Sequence, residues 1–553
     1  MGSTFDRRTL LAGGAATAAG LAAVSAGGIG LGGIAGATTN GPGRNGVSHA
    51  TPKKGGSLVF GVDAEESGFD PTQARYDEVG VMYARTVFDP LTIITASGGW
   101  APYLAESVVP NSNYTSWVVT LRPNLVFHDG TACDGAALLT NFTAQSKSTL
   151  TGIVLSPILE SLAQTGPLAV TMTLKSPWAP FPFWLAGGIG GQIAYVVAPS
   201  MLTNPNGTSH PVGTGPFIFK EWVPNSHFTA TANPHYWRPG LPYLSQITFK
   251  PIPNEQARAE ALTSGTIDMM ITDTPQVITQ FRNNSKWAYI DDQTDLAGEP
   301  DMNCTLLNTG KAPWNNANLR QAAAMAINRS QYAKEIDEGV LPVSNGLFVP
   351  GSPYYSTTAF PKYNPAQAKK LVAQVKSTGG AGAVTTTLGT TNSPAAQRGQ
   401  SYIQQAWQQV GIKVTPKIVE QNDLINLALA GEFEAQTWRQ FGAVDPDLNY
   451  IFWSSTTVTN GIAINMARND DPKVEAALQL GRTSTAASVR RQAYKTVNQR
   501  LALDLPYLWT DRAVWAVISK PTVQNWNNPK TPSGAPAFGM IGGQIWPTQI
   551  WVS

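Results

Sequence analysis

Charge is scarce in this 553-residue chain: Asp, Glu, Lys and Arg make up 13% of it, about half the usual ~25%. Lys and Arg number 38 against 36 Asp and Glu, a net charge of +2, so no excess points to nucleic acid or to an acidic partner. Histidine is scarcer still. His49, His128, His210, His227 and His235 stand apart with no His-x-x-x-His or HExxH spacing, which removes the usual ligand pattern of a catalytic zinc. Cysteine occurs twice, at Cys133 and Cys304. Two cysteines make no disulfide framework, and a single bond between them is left open. There is no G-x-S-x-G elbow and no suggestion of a Cys–His pair. What is plentiful is glycine (52), proline (40) and tryptophan (16), a composition suited to a loop-rich surface with aromatic cavities. At this length the chain has room for two or three domains with real cores. Disorder and a polytopic membrane protein are both excluded.

The N-terminal residues give the compartment. Asp6-Arg7-Arg8-Thr9-Leu10-Leu11 is a twin-arginine pattern, followed to about Ala37 by a run made largely of Ala and Gly. Such small side chains hold a span in lipid poorly, so residues 1–37 read as an export signal, with Ala35-Gly36-Ala37 as a cleavage site. Residues 38–55, rich in Gly, Asn and Pro, read as a linker. Both cysteines lie far downstream, so the cysteine that would carry a lipid just after a signal is not seen. The expectation is an exported chain at the periplasm or the outer face of the envelope.

Residues 211–268 carry the densest pattern. Gly213 and Gly215, set between Pro211 and Pro216, predict a tight loop in which positive φ is cheap. No Lys-Ser/Thr pair follows, so this is a structural turn and not a phosphate cradle. Residues 217–222 alternate as a strand, Asn233-Pro234 and Pro239-Gly240 mark turns, and Ile247 and Phe249 lie on a second strand. A helix is expected over 254–264 with Gly265 as its stop, then a buried strand over 267–271. Further along, alternation at Trp117, Val119 and Leu121 predicts a β-meander, and Asp134 caps a helix over 134–147. Leu319, Ala322, Ala323, Ala326 and Ile327 form an apolar helix face, and Asn364-Pro365 opens another helix, which ends at Gly379-Gly380. Periodicity alone predicts a mixed α/β protein.

The order of these elements, with the strings "GTGPF", "EW", "NPHYW" and "SGTID", resembles the core signature of bacterial extracellular solute-binding proteins of the peptide/nickel/opine-binding family, the receptor subunits of ABC importers. Four matches in order between 211 and 268 are far more specific than any one of them. The likeness extends over residues 55–520. "VFDPL" at 87–91, "LRPNLVFHDG" at 121–130, "LRQAAAMAINR" at 319–329, "WQQVGIKV" at 407–414 and the stretch 494–507 are all similar to family strings.

The resemblance implies a two-lobed periplasmic-binding-protein fold (type II, cluster C-like) with a ligand cleft between the lobes and a subdomain inserted in the first. Lobe 1 is expected at 56–91, 205–305 and 496–553, the inserted subdomain at 92–204, and lobe 2 at 306–495. It implies capture of a peptide or peptide-like solute by hinge closure and delivery to permease subunits with their ATPases. It further implies a monomer that is not an enzyme and needs no cofactor, metal or nucleic acid.

Candidate ligand residues follow from the same alignment. Residues 437–446 resemble the family's strand-to-cleft "W…D..DP" stretch, which nominates Trp438, Arg439, Phe441, Gly442 and Asp445. Where the family has the aspartate that pairs with a peptide ammonium, this chain has Gly442; Asp445 either substitutes for it or merely caps the turn at Pro446. Arg398 stands close to the family's carboxylate-binding arginine, a residue whose planar fork donates two parallel hydrogen bonds. Glu66, Ser67, Gly68 and Tyr83 fall where the first lobe approaches ligand, and Thr305 and Asn308 flank the first crossover. Trp178, Trp184 and Trp314 are candidate apolar walls or core. The alternatives are an oligosaccharide or another small solute on the same fold, or a secreted glycoside hydrolase using Glu65-Glu66 or Asp445 with Asp447.

Overall fold

The computed structural model describes residues 51–292, 298–459 and 462–553; the twin-arginine segment lies outside the described residues. Three main sheets organise the chain. A seven-stranded sheet runs in the order Ala288–Asp291, Ala516–Ser519, Met269–Thr272, Ser57–Val62, Gln246–Pro251, His227–Ala232 and Phe217–Val223. Ser57–Val62 pairs in parallel with both of its neighbours, and the outer pairings are antiparallel. A five-stranded sheet has the order Lys413–Val419, Thr385–Thr391, Ala435–Gln440, Met302–Leu307 and Tyr507–Arg512, with the first two pairings parallel. A four-stranded antiparallel sheet of Ala105–Pro110, Ser116–Leu121, Ala169–Leu174 and Leu159–Gly166 lies wholly within residues 92–204.

Local chemistry explains why these elements start and stop where they do. Asp134 accepts hydrogen bonds from the amides of Ala136 and Ala137 at 3.0 Å and opens the helix Gly135–Ser146. Asn254 and Asn364 do the same for Glu255–Thr263 and Pro365–Gly379, satisfying amides that a helix start leaves free. Gly265 and Gly380 take positive φ just after those helices, where a side chain would be strained.

The chain passes from the seven-stranded to the five-stranded sheet between Asp291 and Met302, and returns between Arg512 and Ala516. The sequence-based limits at 305 and 495 therefore need correction. Met302–Leu307 is hydrogen-bonded on both sides inside the five-stranded sheet. The helix Ala487–Asp504 packs on Pro472–Thr483 and leads directly into Tyr507–Arg512. Periodicity shows a strand but not which sheet receives it.

Packing also divides differently from the expected scheme. Lobe 1 has its own core, in which Tyr83 lies 4.8 Å from Phe228 and 4.9 Å from Phe249, centroid to centroid. The inserted segment and lobe 2 share one continuous cluster that joins Leu121 and Trp178 to Leu448 and Trp509. At their junction Asp447, fully buried, accepts from the indole N–H of Trp178 and of Trp184 at 2.8 Å each, and from Arg482 at 2.9 Å. Trp178 and Trp184 are thus core residues and line no cleft. Trp314 is also core: it is fully buried and donates to Thr386 Oγ1 at 2.9 Å.

The signature loop needs its glycines for a reason other than φ. Neither Gly213 nor Gly215 has positive φ. A Cβ on Gly213 would come within 2.2 Å of the Val87 carbonyl oxygen, and one on Gly215 within 2.5 Å of the Val87 carbonyl carbon. The loop lies directly on the end of the helix Glu78–Val87. Beside it the buried Asp89 gathers Thr214 Oγ1 at 3.1 Å, Tyr236 OH at 2.9 Å and Trp237 Nε1 at 2.8 Å. Burial pushes its carboxyl up to about 6, against the pull of those three donors. Three of the conserved-looking strings, around residues 89, 214 and 236, are therefore parts of one hydrogen-bonded joint.

Candidate functional site

In sheets with parallel strands, ligand positions form where loops leave the carboxyl ends of those strands. Both large sheets obey this and turn those ends toward each other. From lobe 1, Asp63 follows Ser57–Val62 and Asp273 follows Met269–Thr272. Asp77 caps the helix Glu78–Val87, accepting from the amides of Val79 and Gly80 at 3.0 Å. From lobe 2, Ser393 lies between the strand Thr385–Thr391 and the helix Pro394–Gln409, and Trp438 and Arg439 end the strand Ala435–Gln440. Together they enclose a cavity of about 300 Å³.

Arg439 spans the gap. Its Nη1 lies 2.5 Å from Asp273, its Nη2 3.4 Å from Glu78 and its Nε 3.6 Å from Asp301, and its guanidinium lies 4.4 Å above the Trp515 ring. Burial opposes its charge, yet the carboxylates of Glu78, Asp273 and Asp301 more than offset that, so the guanidinium is held above its ordinary range. Other side chains also cross between lobes. Gln421 Nε2 donates to Asp77 at 3.1 Å, Arg398 donates to Gln276 at 3.2 Å, and Arg75 donates to Asn426. The cleft is closed.

Among its acids, Asp77, Glu78 and Asp337 are shifted upward. Burial, together with the negative Asp63, lifts Asp77 to about 6. Burial raises Glu78 well above its usual value despite the attraction of Arg439. Asp337 is pushed to about 9 by burial and by Asp511 opposite it.

The twelve nominated residues separate cleanly. Arg398, Trp438, Arg439 and Phe441 line the cleft. The other eight do not. Asp445 is 1% exposed, pairs with Arg490 at 2.6 Å and caps the turn Pro446–Asn449. Gly442 is pressed against the main chain of Glu299 and Pro300, and its N–H is bonded to Asp301. Glu66 is buried beneath Gly80 and accepts from its neighbour Ser67, whose side chain faces solvent. Gly68 abuts Thr208, and Tyr83 belongs to the lobe 1 core. Thr305 is fully buried within its strand, while Asn308 donates to the carbonyls of Gly431 and Phe433. Glu66, Thr305, Asn308 and Asp445 are committed to strand, core or polar-network contacts, while Ser67 is exposed away from the cleft lining.

The nominated hydrolase carboxylates are committed elsewhere. Glu65 accepts from Trp222 Nε1 at 2.9 Å, and Asp445 and Asp447 are held by Arg490 and Arg482. Cys133 and Cys304 are both buried and free. The charged cleft residues missed by sequence reasoning are Asp63, Asp77, Glu78, Glu255, Arg258, Asp273 and Asp337. A usable signal existed for three of them, an acidic residue directly after a parallel strand or at a helix cap.

At the first crossover burial pushes Glu299 and Asp292 each up to about 8, above ordinary carboxyl values of 4.5 and 3.8. The folded form therefore holds protons that the unfolded form releases. The stability this adds is complete below the unfolded values and is lost as pH climbs through 8. Between pH 6.5 and 9 the loss is ~2 kcal/mol for each group. His128, lowered to about 4 by burial, acts in the opposite sense only below about 6.5, so it does not enter this window. Thermal melts at pH 6.5 and 9 should show the fall, and Glu299→Gln should lessen it while the share of Asp292 remains; a melting temperature that rises toward pH 9 contradicts the assignment.

Comparison with known proteins now bears on this geometry. The family model for bacterial extracellular solute-binding proteins, family 5 (middle region), matches residues 99–461. The chain belongs to this family. Its members are the solute-binding proteins of ABC importers. Among curated relatives, the glutathione-binding protein GsiB of Pectobacterium atrosepticum is 26% identical over 486 residues, covering 84% of this chain and 90% of the relative. The nickel-binding periplasmic protein of Escherichia coli is 27% identical over 470 residues, covering 80% and 87%. Of solved structures, the periplasmic binding protein DppA of Helicobacter pylori in complex with the peptide STSA matches with a TM-score of 0.79 at 22% identity, covering 90% of this chain and 98% of that one. The binding protein AgaA of A. tumefaciens R10 with agropinic acid matches with a TM-score of 0.78 at 21% identity, over 90% and 99%. The fold is therefore that of the type II periplasmic binding proteins. Among the described residues no helix is long and apolar enough to cross a membrane.

Proposed function

We propose that this family 5 receptor is exported, captures a peptide or peptide-like solute by closing its two lobes, and presents the closed form to the permease of its importer. The observation that carries the reading is the cavity of about 300 Å³ walled by both lobes and bridged by Arg439. A ligand that touches both walls stabilises the closed form by its differential affinity for it. The volume is at the small end of the range for small-molecule sites, about 300–1,000 Å³, which suits a solute of a few residues and not a long peptide. Trp438 and Phe441 supply apolar wall, and the acids and arginines supply orientation. Two of the ligands named for relatives, glutathione and the peptide STSA, are solutes of a few residues.

Thermal-shift screening of the purified protein against dipeptides, tripeptides, opines and cello-oligosaccharides tests this. A di- or tripeptide or an opine should raise the melting temperature. If sugars alone do so, or if nothing in the panel does, the peptide reading fails.

A further inference from the structure

We propose that the solute taken by this cleft carries net positive charge on an ammonium or guanidinium group, received by carboxylates of both lobes. The proposal rests on the reading of the protein as a solute receptor and adds the chemistry of the cargo. Six carboxylates, Asp63, Asp77, Glu78, Glu255, Asp273 and Asp337, line the cavity against three guanidiniums, Arg258, Arg398 and Arg439.

The three cations are already engaged. Arg258 donates to the main-chain carbonyls of Ile252 and Ile271. Arg398 is bonded to Gln276 and lies 3.9 Å from Glu255. Arg439 is taken by Asp273, Glu78 and Asp301. Negative capacity is left over on residues that line the cavity. Asp337 is 4% exposed and its Oδ2 has no hydrogen-bond partner; the charged group that acts on it is another carboxylate, Asp511. Glu78 is 3% exposed and its Oε1 is likewise without a partner, as is Oε2 of Glu255 at 8% exposure.

A buried carboxylate oxygen without a donor is costly. At Glu78 and Asp337 that cost shows as an upward shift that favours the protonated form. A ligand cation provides both the missing N–H donors and the missing charge, whereas an anionic ligand adds repulsion. The Trp438 and Phe441 rings on the opposite wall favour a cation further. Gly442, standing where relatives of the peptide-binding type are expected to carry an aspartate, supplies none of this acid; it comes instead from the strand ends and the helix cap of lobe 1 and from Asp337.

Isothermal titration of the purified protein with Gly-Arg, Gly-Gln and Gly-Glu, and with agmatine as a cation lacking a peptide bond, tests the proposal. Gly-Arg should bind at least tenfold more tightly than Gly-Gln, with Gly-Glu weakest. Agmatine equal to Gly-Arg would make a free amine or guanidine the source of the charge; agmatine much weaker would make it a basic peptide. Asp337→Asn should cost tenfold for Gly-Arg and little for Gly-Gln, and Asp63→Asn should do the same should the first variant fail to fold. Gly-Gln or Gly-Glu binding as tightly as Gly-Arg overturns the positive charge and leaves the peptide receptor standing. Binding of agmatine alone keeps the charge and removes the peptide. No binding by any of the four, with a silent thermal panel, overturns both.

Discussion

Asp447→Ala should lower the unfolding free energy by about 3–5 kcal/mol, the usual cost of breaking one side of a buried ion pair. Four hydrogen bonds end on this carboxylate. It is fully buried, and its two oxygens take the indole N–H of Trp178 and Trp184 and the guanidinium of Arg482. Truncation leaves Arg482 charged and without its counter-ion in a site walled by aromatic rings, 3.6 Å above the Tyr450 centroid and 4.9 Å above that of Trp178. It also frees two buried indole donors at the junction of the inserted segment with lobe 2. Urea unfolding measures the loss, and a change below about 1 kcal/mol would rule the network out as a structural joint. Asp447→Leu with Arg482→Met, which removes both charges, should recover part of the loss. Solute affinity should survive, because Asp447 does not line the cleft.

Without ligand, Arg439→Ala should leave the protein open. The strand Ala435–Gln440 delivers this guanidinium from lobe 2 onto Asp273 and Glu78 of lobe 1. Removing it breaks the charge pairs that cross the gap, leaves Asp273 and Glu78 without that counter-charge and discards the contact over Trp515. At ~3 kcal/mol for a buried pair, the closing equilibrium shifts by more than a hundredfold. Small-angle scattering of the unliganded variant should show a larger radius of gyration than the parent. Scattering that does not change would mean that the remaining contacts between lobes, Gln421 with Asp77 and Arg398 with Gln276 among them, hold them together without Arg439. Arg439→Lys should close only partly, since a single ammonium cannot reach Asp273, Glu78 and Asp301 with the geometry of a planar fork.

The two sites show how unevenly the sequence speaks. Trp438, Arg439 and Phe441 were legible because they sit on or directly after a strand whose string is recognisable, and Arg398 because it lies on a helix with a recognisable end. Asp445 was misleading for the same reason: the string marks a turn, and the turn uses the acid to hold Arg490. Asp63, Asp273 and Asp337 carry no string at all. They become a site only when two sheets bring 63 and 273 against 337 and 439, and that is a matter of long-range pairing, which local pattern does not encode. The boundary between lobes failed similarly, because Met302–Leu307 reads as a buried strand in either sheet.

Sequence alone determined the class of molecule: alternating helices and strands, caps at Asp134, Asn254 and Asn364, and a signature of short strings in a fixed order. These depend on contacts within one element or between neighbouring elements, so a linear pattern carries them. Tertiary structure decided which strands share a sheet, that the inserted segment shares its core with lobe 2, and that the cleft is acidic. Charge in a cleft is a sum over residues far apart in the chain. A net of +2 for the whole molecule therefore gave no hint of six carboxylates facing three guanidiniums inside it.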